Sequence, residues 1–311
     1  MAAYKRVLII LNPVSGQQDP TETRQLLEDR FAREQISYEV RETKESGDAL
    51  RWAQQAASEG FDLVVASGGD GTIMEAMSGL IKSGSTIPLA QIPAGTANLL
   101  ARALLIPTAP EAALEVIFTG KAERLDVGYL PDEDRYFALV AGAGYDAQLI
   151  GDASRELKNM LGFAAYVVTG VKNMFKLRPA RIELEIDGKK RRVRAHTLMI
   201  VNVGQIGDGA IALGPNIHPH DGKLDLMIVS SATVLGALRI LLRILTRRFD
   251  GQGDLQYISA SRIRITARPP LPTEIDGEQL GQTPLYAQAV PEGALLLVPQ
   301  EYQAVKETTP A

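Results

Sequence analysis

Three short stretches carry the residue types that hold phosphate. Asn12-Pro13-Val14-Ser15-Gly16 is a polar loop ending in glycine. Gly68-Gly69-Asp70-Gly71-Thr72 sets three glycines in four positions around a carboxylate. Pro93-Ala94-Gly95-Thr96-Ala97-Asn98 repeats the small residues and the hydroxyl. Glycine lets backbone approach an anion closely, and free N–H groups donate to its oxygens. Asp70 offers the hard oxygen that magnesium prefers, and Thr72 suits either phosphate binding or helix capping. Taken singly, each stretch is also an ordinary strand-to-helix turn. The Walker pattern GxxxxGK[ST] is absent.

Two later stretches are acidic: Asp221-Gly222-Lys223-Leu224-Asp225 and Ile275-Asp276-Gly277-Glu278. Asp-Gly is a common turn dipeptide. A carboxylate at such a position can also take a proton from an attacking hydroxyl. His218 and His220 flank Pro219, a spacing that is not the i, i+4 pair of a helical metal site.

The elements around these residues follow from periodicity. Arg6–Leu11, Ser37–Glu42, Phe61–Ala66 and Ile87–Ile92 are strand-like, and the first three stretches above each follow one of these runs. Thr21–Gln35, Asp48–Glu59, Ile73–Ile81 and Thr96–Leu105 have helical spacing. Such alternation predicts a parallel sheet with helices on both faces. Three small-residue loops would then meet at one sheet edge, which is far more specific than any one loop. After Asp126 the pattern changes. Arg124–Tyr129, Tyr136–Ala143, Ala180–Ile186, Val193–Asn202, Leu224–Val229 and Ser261–Ala267 read as strands, with a hairpin at Asp187-Gly188. Leu157–Phe175 and Thr233–Arg248 read as helices, and Leu295–Pro299 as a final strand. The expected division is residues 1–126 plus 294–311 as an α/β domain, and 127–293 as a mostly antiparallel β domain.

Composition sets outer bounds. The 311 residues suit about two domains at roughly 150 residues each. The net charge of −4 argues against wholesale nucleic-acid binding. The chain has no cysteine, which removes disulfides and thiol chemistry and suits a reducing cytoplasm. No run reaches ~18 apolar residues, so no membrane-spanning helix is expected and any membrane contact is peripheral. Thr233–Arg248 is the best candidate for that contact, with Arg239, Arg243 and Arg247 recurring every fourth residue beside a leucine-rich face. A packed helix with a solvated arginine stripe fits the same spacing.

The ordered set of motifs resembles the diacylglycerol kinase catalytic-domain family, which includes bacterial lipid kinases, sphingosine kinases and ceramide kinase. Asn12-Pro13-x-Ser15-Gly16, Gly68-Gly69-Asp70-Gly71-Thr72 and Pro93-x-Gly95-Thr96-x-Asn98 carry the resemblance. Gly142-Ala143-Gly144-Tyr145-Asp146, Asp221-Gly222-Lys223-Leu224-Asp225 and Asp276-Gly277-Glu278 extend it. The resemblance implies an open α/β nucleotide-binding domain of the NAD kinase and diacylglycerol kinase type, then a β-sandwich domain, with the active site between them. It implies transfer of the ATP γ-phosphate to a lipid hydroxyl, with magnesium as cofactor. Asn12, Pro13, Val14, Ser15 and Gly16 would line the ATP phosphates. Thr43, Gly68, Gly69, Asp70, Gly71, Thr72 and Thr96 would also contact nucleotide, with Asp70 near the catalytic magnesium. Asp276 or Glu278 would be the base, the family assignment favouring Glu278. The Asp221 side chain and the His218 and Lys223 carbonyls would hold a structural magnesium. One departure stands out: many bacterial members have Asp after the third-motif Asn, and here Leu99 follows Asn98.

The resemblance leaves two rivals. A nicotinamide dinucleotide kinase shares the Gly-Gly-Asp-Gly-Thr loop, but its downstream Asn-Glu pair is missing here. A non-catalytic lipid- or nucleotide-binding regulator would keep the fold and lose acidic residues, whereas Asp70, Asp276 and Glu278 are all present. The expected partners are a lipid substrate and a membrane surface, with no nucleic acid. The sequence is compatible with an oligomer without fixing its size.

Overall fold

The computed structural model describes residues 4–16, 19–144, 179–206, 211–230, 236, 242–243, 246 and 253–303. The chain forms two compact units, Met1–Asp126 with Glu292–Lys306, and Val127–Pro291 with Glu307–Ala311.

The first unit is built on a parallel sheet. Its strands are β1 (Arg6–Leu11), β2 (Ser37–Glu42), β3 (Leu63–Gly68) and β4 (Leu89–Pro93), in the order β2-β1-β3-β4. The C-terminal part of β18 (Leu285–Val298) pairs parallel with β4, with Leu296 beside Leu89. Every residue of β3 and β4 is buried, as expected of strands covered on both faces. The helices are α1 (Pro20–Arg33), α2 (Asp48–Gln55), α3 (Asp70–Lys82), α4 (Leu99–Ala103) and α5 (Pro110–Thr119). Helix α1 starts where Asp19 accepts a hydrogen bond from the Thr21 N–H and proline occupies the first turn. It buries Leu27 and Phe31, whose ring lies 5.8 Å from that of Phe118 on α5.

Three local readings change. Strand β3 runs on through Ser67 and Gly68, and α3 begins at Asp70 rather than near Ile73. Helix α4 begins at Leu99 rather than Thr96, because Asn98 adopts the left-handed conformation (φ 48°), which an α-helix cannot include. Helix α5 has no counterpart in the sequence reading. Its signals were Pro110 in the first turn and buried Ala113, Leu114, Val116 and Ile117 at helical spacing.

The second unit is a β-sandwich. One sheet has the order β14-β13-β10-β7-β16-β17, all antiparallel. Its strands are β7 (Val140–Ala143), β10 (Thr197–Val201), β13 (Leu224–Val229), β14 (Leu255–Ala260), β16 (Pro272–Ile275) and β17 (Glu278–Gln282). The other has the order β18-β15-β8-β9, from β8 (Ala180–Ile186), β9 (Lys189–Ala195), β15 (Arg262–Arg268) and the first part of β18. Leu198, Ile200, Leu226 and Ile228 from the first sheet and Ile182, Leu184, Ile263 and Ile265 from the second share one apolar core. Strand β5 (Lys121–Leu130) pairs with β18 and with β6 (Arg135–Phe137), and β11 (Gln205–Ile206) with β12 (Ile211–Ala212) forms a separate two-stranded ribbon.

Two expected strands are each two strands. Tyr136–Ala143 breaks at Ala138-Leu139 into β6 and β7, and Val193–Asn202 breaks at buried His196 into β9 and β10, which lie in different sheets. Asp187-Gly188 joins β8 to β9, both residues with positive φ (48° and 81°), as a two-residue hairpin requires. Leu157–Phe175, Tyr145 and Asp146 lie outside the described residues. So does the helix read at Thr233–Arg248, apart from Gly236, Leu242, Arg243 and Thr246. Among the described residues, no helix is long and apolar enough to cross a membrane.

Candidate active site

In the first unit the three glycine-bearing stretches lie against one another at the carboxyl ends of β1, β3 and β4. Asn12 is anchored by its N–H to the Ser67 carbonyl (2.9 Å). Its side-chain oxygen accepts from the Val14 N–H (3.1 Å), and its amide donates to the Thr72 hydroxyl (2.9 Å). Ser15 donates its hydroxyl to the Asn12 carbonyl at 2.9 Å. Gly16 has φ 77°, and a Cβ there would lie 1.5 Å from the Ala94 carbonyl oxygen. Gly69 and Gly95 meet backbone to backbone: a Cβ on Gly95 would sit 2.6 Å from the Gly69 Cα. The first and third stretches therefore touch, the second and third touch, and Asn12 ties the first to the second.

Helix α3 opens onto this junction with Gly69 as its N-cap and no side-chain cap. Its first N–H groups carry the positive end of the helix dipole. Thr72 is buried in its first turn and bonds Asn12, so it does not cap the helix. Asp70 does cap a helix, but α4 rather than its own: its Oδ1 accepts from the Leu100 N–H at 3.2 Å. Asn98, the N-cap position of α4, is turned the other way. Its side chain accepts from the Gly95 N–H and donates to the Gly95 carbonyl, both at 2.9 Å, and so closes the third loop. Thr96 is exposed beside it, and Val14 stands 88% exposed at the tip of the first loop.

Thr43 follows β2 at the same sheet edge, its N–H bonded to the Leu11 carbonyl (2.9 Å). The loop after it is held by residues the sequence reading did not single out. Asp48 accepts from the Lys44 and Glu45 N–H groups at 2.8 and 3.2 Å and from the Arg51 guanidinium at 2.6 Å. These bonds, that from Lys44 foremost, hold its carboxyl below its ordinary pKa. Glu75 on α3 accepts from the Ser46 hydroxyl and the Gly47 N–H.

The acidic residues at 276 and 278 belong to the second unit. Asp276 and Gly277 are the two turn residues between β16 and β17, with φ 46° and 88°. The Asp276 carboxylate accepts from three successive N–H groups, those of Ala138 (3.2 Å), Leu139 (3.1 Å) and Val140 (2.9 Å). That clamp is what separates β6 from β7. Glu278 projects outward, its side chain 60% exposed, and pairs with Arg135 at 2.7 Å. Sequence reasoning missed Arg135; nothing local links two residues so far apart in the chain.

The stretch 218–223 leads into β13. Asp221 accepts from the Lys223 N–H (2.9 Å), the His218 carbonyl accepts from the His220 N–H (3.0 Å), and Gly222 has φ 72°. Asp225, one strand residue further on, is pushed up to about 6 by burial and secondarily by the Asp221 charge. Two carboxylates and nearby carbonyls are the hard-oxygen donor set a magnesium ion takes. Among the described residues, no cluster of three or more His, Asp and Glu side chains is arranged to hold a metal.

Residues 6–130 match the diacylglycerol kinase catalytic domain, and residues 139–298 match the YegS C-terminal NAD kinase beta sandwich-like domain. The chain belongs to the diacylglycerol kinase catalytic-domain family. A diacylglycerol kinase of Bacillus subtilis is 33% identical over 90% of this chain and 92% of its own length. A Chromohalobacter salexigens protein named "Probable lipid kinase YegS-like" is 33% identical over 86% of this chain and 85% of its own. A crystal structure from Bacillus anthracis str. Sterne gives a TM-score of 0.80 at 25% identity, covering 97% of this chain and 100% of that one. Membership in the family bears out the α/β unit followed by a β-sandwich. It also places the chain among phosphotransferases that act on an alcohol group, whose named members are diacylglycerol and lipid kinases.

Proposed function

We propose that this protein is an ATP- and magnesium-dependent kinase that phosphorylates a hydroxyl of a membrane lipid such as diacylglycerol. The convergence of three glycine-bearing loops at the end of the parallel sheet carries the reading: Gly16 on Ala94, Gly69 on Gly95, Asn12 on Thr72. A side chain at Gly16 or Gly95 would strike the neighbouring loop's backbone and force the loops apart. In this reading Asn12–Gly16, Thr43, Gly68–Thr72 and Thr96 hold the nucleotide, with the α3 N-terminus facing phosphate charge. Asp70 contributes a carboxylate toward magnesium while its Oδ1 bonds Leu100. When bound, magnesium offsets charge on the transferring phosphoryl oxygens.

Glu278 is assigned as the base. The lipid hydroxyl oxygen forms a bond to the γ-phosphorus, the bond from that phosphorus to the bridging oxygen breaks, ADP leaves, and the hydroxyl proton passes to Glu278. Arg135 orients that carboxylate. Asp276 is assigned to the turn, because its oxygens already accept three backbone N–H groups. A structural magnesium on the Asp221 side chain and the His218 and Lys223 carbonyls belongs to the same proposal, as does membrane contact through 233–248. Leu99, standing where many bacterial members carry Asp, leaves the choice of head group to experiment.

The test is transfer of labelled γ-phosphate from ATP with magnesium to a lipid extract in mixed micelles, with nicotinamide dinucleotide in parallel. A labelled lipid is the expected product, and its mass names the acceptor. Label on the dinucleotide, or no label from a folded protein that binds ATP, overturns the reading.

A further inference from the structure

The face of the β18-β15-β8-β9 sheet that points away from the core is cationic. Ile182 and Leu184 on β8 and Ile263 and Ile265 on β15 face inward, so Arg181, Arg262, Arg264 and Arg268 lie on the opposite face. Strand β9, at the sheet edge, adds Lys190, Arg192 and Arg194 to that face by its register with β8, and all three are exposed.

The register makes one row of this face distinctive. Arg268 stands directly opposite Arg181, and Arg181 directly opposite Arg194. Three guanidinium groups thus line up across three adjacent strands, at strand spacings of roughly 4.8 Å. All three residues are exposed, and none has a hydrogen bond or ion pair from its side chain to another described residue. The neighbouring rows are balanced. Glu183 lies 3.8 Å from both Lys190 and Arg192, and Arg264 lies 3.9 Å from Asp132 and over the Tyr286 ring. Like charges directly opposite each other destabilise a sheet, so the unbalanced row costs stability that the fold itself does not recover. Cations on an edge strand discourage strand addition, but that purpose explains β9 and not Arg181 or Arg268 on inner strands.

We propose that this face docks on a membrane surface rich in anionic phospholipid headgroups. The chain as a whole carries a net charge of −4, and the row of Arg181, Arg194 and Arg268 has no acid opposite it in the register. An exposed sheet face meets a bilayer along a row of headgroups, and its arginines pair with phosphates through several donors each. The choice of a lipid surface as occupant rests on the kinase reading, which sends the enzyme to a bilayer for its substrate.

The experiment measures sedimentation of the full chain with vesicles of phosphatidylcholine alone and with about a third phosphatidylglycerol. It compares wild type with Arg181→Gln/Arg194→Gln/Arg268→Gln. Binding should need the anionic lipid and weaken with salt. The triple variant should lose roughly 100-fold in partition coefficient, each surface arginine contributing about fivefold. An equal-charge control, Lys5→Gln/Arg33→Gln/Lys121→Gln in the other unit, should lose much less, and the Arg→Lys triple should retain most binding. Because removing the row relieves repulsion, the Gln triple should melt no lower than wild type; the single Arg181→Gln variant carries the test if it does. Binding to phosphatidylcholine alone, binding unchanged in the triple variant, or tighter row-dependent binding to duplex nucleic acid at equal salt would each overturn the proposal. The readout is independent of phosphate transfer. Vesicle binding without transfer sinks the kinase reading alone, and transfer to micellar lipid without vesicle binding sinks this surface alone.

Discussion

Asp276 and Glu278 stand on either side of Gly277 in one hairpin and use their carboxylates in opposite ways. Asp276 turns inward onto the amides of Ala138, Leu139 and Val140, whereas Glu278 reaches out to Arg135. A carboxylate saturated by backbone donors holds structure; one on a flexible, exposed partner can exchange a proton. Replacing Glu278 with Gln should therefore lower kcat by about 10²–10⁴-fold, with ATP affinity unchanged by calorimetry. Replacing Asp276 with Asn should act on the fold, lowering stability by about 2 kcal/mol in urea titrations. The reverse pattern would exchange the two roles.

Asp70 has two duties that different substitutions separate. Asp70→Asn keeps an oxygen for the Leu100 N–H, while Asp70→Ala removes it. Thermal melts should place Asn close to wild type and Ala lower by about 1 kcal/mol, the usual loss of a cap. Transfer should fail in both, since both lack the charge. Near-normal turnover in Asp70→Asn would remove the magnesium role.

Gly95 is held against Gly69 so closely that a single methyl group has no room. Gly95→Ala should force the third loop off the second. Binding of an ATP analogue should weaken at least 10-fold, about 1.4 kcal/mol, while the β-sandwich unit keeps its protection in hydrogen exchange. Unchanged affinity would show that nucleotide does not use this junction.

Asp48 predicts a pH dependence. Its folded carboxyl is depressed below the ordinary value of 3.8, by the Lys44 amide first and by the Glu45 amide and Arg51 besides. A depressed acid contributes stability above its ordinary pKa and loses it as pH falls through the lower, folded value. Wild type should exceed Asp48→Asn in urea midpoint at pH 7, and the gap should close as pH falls below 3.8 and through the lower, folded value. A gap independent of pH would mean that the side chain acts only as a neutral acceptor.

The alternation of strands and helices, and the switch to consecutive strands, were legible because hydrophobic period reports them directly. The meeting of the three glycine stretches was legible for a topological reason: parallel strands put their following loops at one edge. What stayed hidden depended on partners distant in sequence. The β6/β7 break is made by Asp276, more than a hundred residues away, and no pattern within Tyr136–Ala143 announces it. The start of α4 depends on Asn98 bonding Gly95 in place of capping its own helix. The β9/β10 break falls at His196, where the chain passes from one sheet to the other without a glycine or proline to mark it. Helix α5 was legible from Pro110 and was overlooked.

The pairing of β18 with β4 sets an order of events during synthesis. All three glycine-bearing loops have been made once Asn98 is added, yet β4 waits for its parallel neighbour until Leu296 follows. The first unit begun is thus the last completed, and the entire β-sandwich is translated while the edge of β4 stands open. Nascent chains arrested before Glu292 should be cut by protease within residues 4–126, and chains released at full length should resist.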